Sequence, residues 1–236
     1  MIVCSWNVRG LREGLKRRRI TNLIKNENVE ILALQETKLE SVDNNFCPRL
    51  WGGDNVGWCC GSSVGRSGGL LTMWDKNKGD FILSFQGQGY MGVLLEWGRE
   101  KKKYVILNVY APCGLNGKKR LWVDILVAKQ SVAAEFWCVL GDFNSIRGPE
   151  ERQRGSGSMF YPGVSEDSMW FNIFLQRLGL SDLPLFGRKF TWVQPNGGCM
   201  SRLDRIMVSF NWLEEWGDTN LWALSRDVSD HCPIIL

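Results

Sequence analysis

Long apolar runs are the first thing this chain of 236 residues lacks. None approaches the roughly 20 consecutive apolar residues that a membrane-spanning helix needs. Residues 1–7 (Met-Ile-Val-Cys-Ser-Trp-Asn) start directly in strand-like sequence without a basic run, so a signal peptide is not expected here. The eight cysteines include no C-x-x-C pair, and a single histidine, His231, leaves nothing to complete a zinc set. Reduced, mostly buried thiols in an intracellular compartment are therefore expected. Excess charge is also scarce: a net +4 permits a polyanionic partner without demanding one. What remains, 44% hydrophobic and 23% charged, is ordinary globular composition with material for one α/β domain.

The stretch that organises the chain is 136–144, Phe-Trp-Cys-Val-Leu-Gly-Asp-Phe-Asn. An apolar run ending in a small and then polar residues reads as a buried strand that delivers Asp142 and Asn144 to a sheet edge. A carboxylate that takes a proton from water, beside a carboxamide that holds an oxyanion, suits attack of water on phosphorus or carbonyl. Alone, the stretch reads equally as a strand and an Asp/Asn turn.

Other strand ends add to it. Residues 2–6 form a strand that ends at Asn7, and 31–34 one that ends in Gln-Glu-Thr-Lys with Glu36. In open α/β sheets, ligands gather at such carboxyl ends. A helix is expected over about 14–28, with Leu15, Ile20, Leu23 and Ile24 inward and the basic run 16–19 on or near its wet face. Residues 41–69 read as an irregular excursion, whose Gly-Ser-Ser-Val-Gly-Arg-Ser-Gly-Gly segment (61–69) lacks the ending of a phosphate loop. Strands at 70–74, 81–85, 91–97 and 104–110 suggest hairpins, the last placing Tyr110 at its end. Helices are expected over 118–135 and 167–178, the latter with Trp170, Ile173, Phe174 and Leu178 on one face, on either side of the central strand and a polar 145–165 stretch. Residues 190–193, the turn Gln-Pro-Asn-Gly-Gly and 202–208 read as a β-hairpin between Thr191 and Asp204. The chain then closes on Ser-Asp-His-Cys-Pro and an apolar strand, which reads as cut from a longer polypeptide.

Taken singly, Asn7, Glu36, Tyr110, Asp142, Asn144, Asp204, Asp230 and His231 each have a structural explanation. In order and with their flanks they resemble the exonuclease–endonuclease–phosphatase superfamily, at Trp-Asn-Val (6–8), Leu-Gln-Glu-Thr-Lys (34–38), Asn-Val-Tyr-Ala-Pro (108–112), Gly-Asp-Phe-Asn (141–144), Arg-Leu-Asp-Arg (202–205) and Ser-Asp-His-Cys-Pro (229–233). The resemblance implies a four-layer, DNase-I-like α/β sandwich: two packed, mixed but mostly antiparallel sheets flanked by helices, with the site at one edge. Within the superfamily the chain is most similar to the apurinic-like endonuclease domain of LINE-type non-LTR retrotransposons, through Gly-Asp-Phe-Asn, Phe-Thr-Trp (190–192) and Asn-Val-Arg-Gly-Leu (7–11).

That resemblance implies Mg2+-dependent hydrolysis of DNA (Mn2+ being possible), with Glu36 as the main ligand and Asn7 and Asp230 as nearby partners. Asp142 would activate water, Asn144, Tyr110 and His231 would hold phosphoryl oxygens, and Asp204 would orient His231. The expected nick leaves 3′-hydroxyl and 5′-phosphate ends, for extension by a reverse transcriptase in the same polyprotein, in the nucleus, by a monomer acting on double-stranded DNA. Arg9 stands where many repair enzymes of the superfamily carry an acid, which puts a second metal there in doubt and makes it a candidate phosphate contact. Thr191, Trp192, Arg202 and Arg205 are the other candidate DNA contacts, at the base of a hairpin expected to enter the minor groove. A repair apurinic endonuclease, a lipid-headgroup phosphatase and a catalytically decayed DNA-binding copy are the competing readings.

Overall fold

The computed structural model describes residues 1–61, 68–155 and 165–236. The glycine-serine loop at 61–69 thus lies mostly outside the described residues, as does 156–164 of the polar stretch. The chain begins with β1 (Val3–Asn7), crosses over through α1 (Gly14–Asn26) and returns as β2 (Ile31–Gln35), parallel to β1. The expected irregular excursion contains α2 (Phe46–Trp51) and β3 (Val56–Gly61), and β4 (Leu70–Asp75) pairs antiparallel to both β2 and β3. A meander follows in β5 (Gly79–Gly87), β6 (Tyr90–Trp97) and β7 (Lys102–Tyr110); α3 (Leu115–Ser131) then crosses to β8 (Phe136–Asp142), parallel to β7. The remainder is β9 (Arg152–Arg154), α4 (Glu166–Leu178), β10 (Ser181–Asp182), β11 (Leu185–Phe186), the hairpin strands β12 (Trp192–Val193) and β13 (Cys199–Ser201), β14 (Asp204–Val208), α5 (Phe210–Trp216), β15 (Leu221–Ala223) and β16 (Ile234–Ile235).

Seven strands form one sheet in the order β11-β15-β16-β1-β2-β4-β3, and six form the other, β10-β14-β8-β7-β6-β5. Most pairings are antiparallel, as expected. Strand periodicity decides what each face meets. Val3, Ile31 and Ala33 of the first sheet pack on Ile106, Cys138, Leu140, Ile206 and Val208 of the second, forming the central core. The alternate residues face outward: Cys4, Trp6, Leu32 and Leu34 under α1 and α2, and Leu107, Val139 and Met207 under α3 and α4. The result is four layers, helix, sheet, sheet, helix.

Toward one edge the inner row turns polar. Gln35 donates to Ser5 and to Asn108 Oδ1 at 2.7 Å, and Asn108 donates to Thr72 Oγ1 and the carbonyls of Leu34 and Leu71. These groups are buried, and their mutual bonding ties the two sheets together below the rim. One step further along the same rows come Asn7, Tyr110, Asp142 and Asp204.

Three helices differ from expectation. On α1 the buried stripe is Lys16, Ile20 and Ile24, while Leu15 is exposed. Lys16, expected on the wet face, donates its ammonium to the carbonyls of Val8 and Arg9, satisfying the turn after β1. The helix after β7 starts three residues early, behind an extended Gly114, and ends at the extended, β-branched Val132. On α4 the buried face is Phe171, Phe174, Leu175 and Leu178, so Trp170 is displaced to the rim, where Lys119 sits over its ring. A hairpin forms at the expected turn, but its returning strand is β13 (Cys199–Ser201) rather than 202–208. Instead β14 pairs with β8 and β10 in the second sheet, and β9 joins the hairpin into a three-stranded sheet, β12-β13-β9.

Candidate active site at the sheet edge

The site begins with Asp142, at the end of β8 and 1% exposed. Its register partners are Tyr110, at the carboxyl end of the parallel β7, and Asp204, at the amino end of the antiparallel β14, so the three side chains share one face of the sheet edge. Gly141 makes this possible: its φ of +136° and its approach to the Val109 carbonyl leave no room for a Cβ. From the other sheet, Asn7 Nδ2 donates to Asp142 Oδ2 at 2.9 Å; Asp142 Oδ1 accepts the Asn144 backbone N–H at 2.9 Å.

His231 lies beside it. Its Nδ1 is 2.9 Å from Asp204 Oδ2, and its Nε2 is 3.8 Å from Asp142 Oδ2. The segment before it is fastened to β1, since Ser229 Oγ donates to the Asn7 carbonyl and the Trp6 indole donates to the His231 carbonyl. Thr191 anchors the opposite side: its hydroxyl accepts the backbone N–H groups of Leu203 and Asp204. Burial lowers the His231 pKa, but Asp204 and then Asp142 outweigh that and raise it to about 9. Burial raises Asp142 to about 6; the cationic His231 and the bonds from Asn144 and Asn7 restrain the rise. A carboxylate that titrates near the working pH, next to an imidazolium, is a competent acid–base pair.

Glu36 follows β2, 7% exposed, and receives the phenol of Tyr110. Burial and Glu36 push the Tyr110 pKa far up, so the phenol stays protonated and its O–H is donated to Glu36 rather than left open. Lys38 stands 3.8 Å from the other Glu36 oxygen. Glu36, Arg9, Lys38 and Asn144 all have positive φ, between +48° and +55°. Such backbone in four non-glycine residues, all following the ends of β1, β2 and β8, marks a rim held by its surroundings. For Asn144 the holding groups are clear. Its amide donates to the Ala111 carbonyl at 2.8 Å, and its own carbonyl accepts from the buried Lys118 ammonium at 2.6 Å. Lys118 is in turn paired with Asp167, which also accepts from Ser145.

Asp230 faces the same rim, but both of its oxygens are engaged. Oδ1 is 2.9 Å from the Arg9 Nε, and Oδ2 accepts the Trp192 indole N–H at 3.0 Å. Asp230 thus stands at the rim as the partner of Arg9 and Trp192 rather than as an open oxygen donor. Three of the candidate DNA contacts are corrected on similar grounds. Thr191 is fully buried. Arg205 is fully buried on the outward face of β14, ion-paired to Glu151 and Asp182 and lying over the Phe171 ring. Arg202 is held by Asp182 and by the Leu183 carbonyl. Neighbouring residues on a strand point to opposite faces, so Asp204 in the site sends Arg205 away from it. Trp192 is half-buried, and Arg9 keeps 42% of its side chain exposed. A concavity of about 330 Å³ is lined by Arg9, Arg12, Glu13 and Lys38, and a groove of about 790 Å³ runs past Tyr110, Pro112, Gln86 and Arg120.

The donor chemistry discriminates between two places for a cation. Asp142, Asp204 and His231 bring three potential ligand atoms within 4.8 Å, but all three are buried, His231 is already bonded to Asp204 and Asp142 to Asn7 and Asn144, and an imidazole is a poor partner for a hard ion. Glu36, with the Asn7 carboxamide on the adjoining strand end, offers the oxygen donors that Mg2+ or Mn2+ prefers. The residues fit the ion at Glu36.

A sequence profile of the endonuclease/exonuclease/phosphatase family matches residues 4–231. The chain belongs to this family. It is accordingly a hydrolytic enzyme. It is 26% identical, over 99% of its length and 69% of the relative's, to a DNA-(apurinic or apyrimidinic site) endonuclease of Dictyostelium discoideum. It is 23% identical to an exodeoxyribonuclease of Bacillus subtilis, over 100% of this chain and 98% of the relative's. Among solved structures, the apurinic endonuclease LMAP of Leishmania major superposes with a TM-score of 0.75 at 18% identity, covering 99% of this chain and 86% of that one. The 3′ phosphatase NExo of Neisseria, bound to a product DNA hairpin, gives 0.73 at 19%, covering 100% and 98%. These likenesses establish the sandwich fold.

Proposed function

We propose that the chain is a divalent-metal-dependent endonuclease that nicks double-stranded DNA to leave 3′-hydroxyl and 5′-phosphate ends. The observation that carries this is the contact of Asp142 with Asn7, beside the Asp204–His231 pair, at an open rim that also presents Glu36. Asp142 takes a proton from the attacking water. His231, held by Asp204 through Nδ1, turns its Nε2–H to a phosphoryl oxygen. Asn144 has one amide hydrogen left for the same group after its bond to Ala111. Glu36 and the side-chain Oδ1 of Asn7 would hold Mg2+ or Mn2+, and that charge would stabilise the departing 3′ oxygen. The family blocks and the names of the relatives support this reading.

The finer reading rests on the resemblance to LINE-type endonucleases: a monomer nicks intact target DNA in the nucleus, and a reverse transcriptase extends the new 3′-hydroxyl. The second reading, a repair endonuclease acting at abasic sites, is favoured by the name of the Dictyostelium relative. A supercoiled-plasmid assay with Mg2+, beside a duplex carrying one abasic site, tests both. Relaxed circles with polymerase-extendable ends support the first; cleavage confined to the abasic duplex supports the second; neither product, with duplex still bound, supports a decayed copy.

The pH profile follows from the two titrating groups. Activity needs Asp142 deprotonated, so the rate should rise through about pH 6. It needs His231 protonated, so it should fall through about pH 9. A bell with these limbs is expected in kcat/KM for nicking; a rate still rising at about pH 10 contradicts the charged-imidazole role.

The hairpin is the proposed minor-groove element, reduced by the structure to its exposed tip, Pro195, Asn196, Gly197 and Gly198. Its base is not free to move: Val193 donates to the Asp230 carbonyl, and Cys232 donates to that of Thr191. Removing two tip residues should redistribute the nick positions mapped on a plasmid while the total nicking rate changes less than about threefold. An unchanged nick map would assign sequence choice elsewhere.

A further inference from the structure

We infer that Arg9 takes the place of a second metal ion: this site binds one divalent cation, at Glu36, and the Arg9 guanidinium supplies the other positive charge. The inference rests on the metal-dependent reading above and concerns how many ions that site accepts.

The geometry is specific. Arg9 is tied at its backbone, where its N–H donates to Asn7 Oδ1 at 3.1 Å and its carbonyl accepts from the buried Lys16. Its φ of +51° turns the side chain from the end of β1 to the rim. There Nε lies 2.9 Å from Asp230 Oδ1, while Trp192 occupies Oδ2. Asp230 could serve a second ion only by giving up both partners. Any ion there would also sit against a fixed cation, and like charges a few ångströms apart in a half-buried site repel strongly. Glu36 and Asp230 hold the guanidinium charged despite its partial burial. With Nε spent on Asp230, the terminal nitrogens of the guanidinium remain for a phosphoryl oxygen, which a planar fork suits. Lys38 and Arg12 around the adjoining concavity add further positive charge, and none of the three can ligate a metal.

The test counts ions without relying on turnover. Manganese binding to the DNA-free protein, followed by the loss of the free-ion paramagnetic resonance signal, should show one site in the wild type. It should show none in Glu36→Gln and two in Arg9→Asp, which supplies a carboxylate at a φ that Asp tolerates. Arg9→Asn keeps the backbone preference and removes the charge. It should lower nicking about 10²-fold, and millimolar guanidinium should restore part of the loss where extra Mg2+ does not. Two sites in the wild type, or full rescue of Arg9→Asn by Mg2+ alone, overturns the inference and leaves the metal-dependent reading standing. No site in the wild type, with Glu36→Gln nicking normally, overturns both.

Discussion

Asp142→Asn is expected to lower single-turnover nicking about 10³-fold while leaving the affinity for duplex DNA within about twofold. The carboxylate is the group placed to accept a proton from water, and a carboxamide cannot accept one at any accessible pH. Binding should persist because Asp142 is 1% exposed and is placed to meet the attacking water rather than to hold the duplex. The substitution is nearly isosteric, yet one contact must reorganise. Asp142 Oδ1 can still be matched to the Asn144 N–H, but at the other position the new amide would meet the Asn7 amide that now donates to Oδ2. Asn7 must then rotate, giving up the Arg9 N–H, at a cost of about 1 kcal/mol in stability. A second consequence separates the assigned role from simple misfolding. Asp142 is one of the carboxylates that raise the His231 pKa, so its removal should lower that pKa below about 9. The residual alkaline limb should therefore move to lower pH, while the unfolding midpoint shifts little. Loss of binding in parallel with loss of nicking would mean that the carboxylate builds the site rather than acting in it.

Why the site was readable from the chain, and where it was not, comes down to periodicity. Asn7, Glu36, Tyr110 and Asp142 each close or follow an apolar strand and Asp204 opens one, and these strand ends converge on one rim. Short ordered blocks therefore identify residues that the fold then gathers. Arg205 is no DNA contact because the alternation that puts Asp204 inward puts Arg205 under α4. Lys16 and Lys118 carried a signal that charge obscured. Each sits on its helix's apolar stripe, Lys16 with Ile20 and Ile24, Lys118 with Leu121 and Ile125, and each spends its ammonium on backbone carbonyls behind a site residue. The ion pair of Arg9 with Asp230 links residues more than two hundred positions apart, and nothing local encodes it. The same holds for β9, whose three polar residues have no strand pattern and become a strand only because β13 offers an edge.

Glu151→Ala should be the most destabilising substitution outside the core, by about 3–5 kcal/mol, because it strips a partner from a cation that has no water to turn to. Arg205 is fully buried, and its guanidinium is divided between Glu151 and Asp182 while lying over the Phe171 ring. Glu151 also accepts the Arg147 N–H and faces Arg202. Removing its carboxylate leaves Asp182 facing three arginines and Arg205 with half its compensation. Arg205→Met should cost clearly less, since it withdraws the buried charge and keeps an apolar stem against Phe171, while Arg202 remains for both acids. Urea unfolding of the two variants decides the point: a larger loss for the methionine variant would mean that the guanidinium is a net source of stability. The effect should also reach the active site. Glu151 accepts the Arg202 N–H through its backbone carbonyl just before β9; β9 pairs with β13, β13 with β12, and Trp192 of β12 bridges directly to His231. Loosening this run frees the strand that holds His231 against Asp204. Nicking by Glu151→Ala should therefore fail at urea concentrations where its circular dichroism is still native, ahead of global unfolding. Coincident loss of the two signals would mean that the three-stranded sheet and the catalytic rim unfold as one unit.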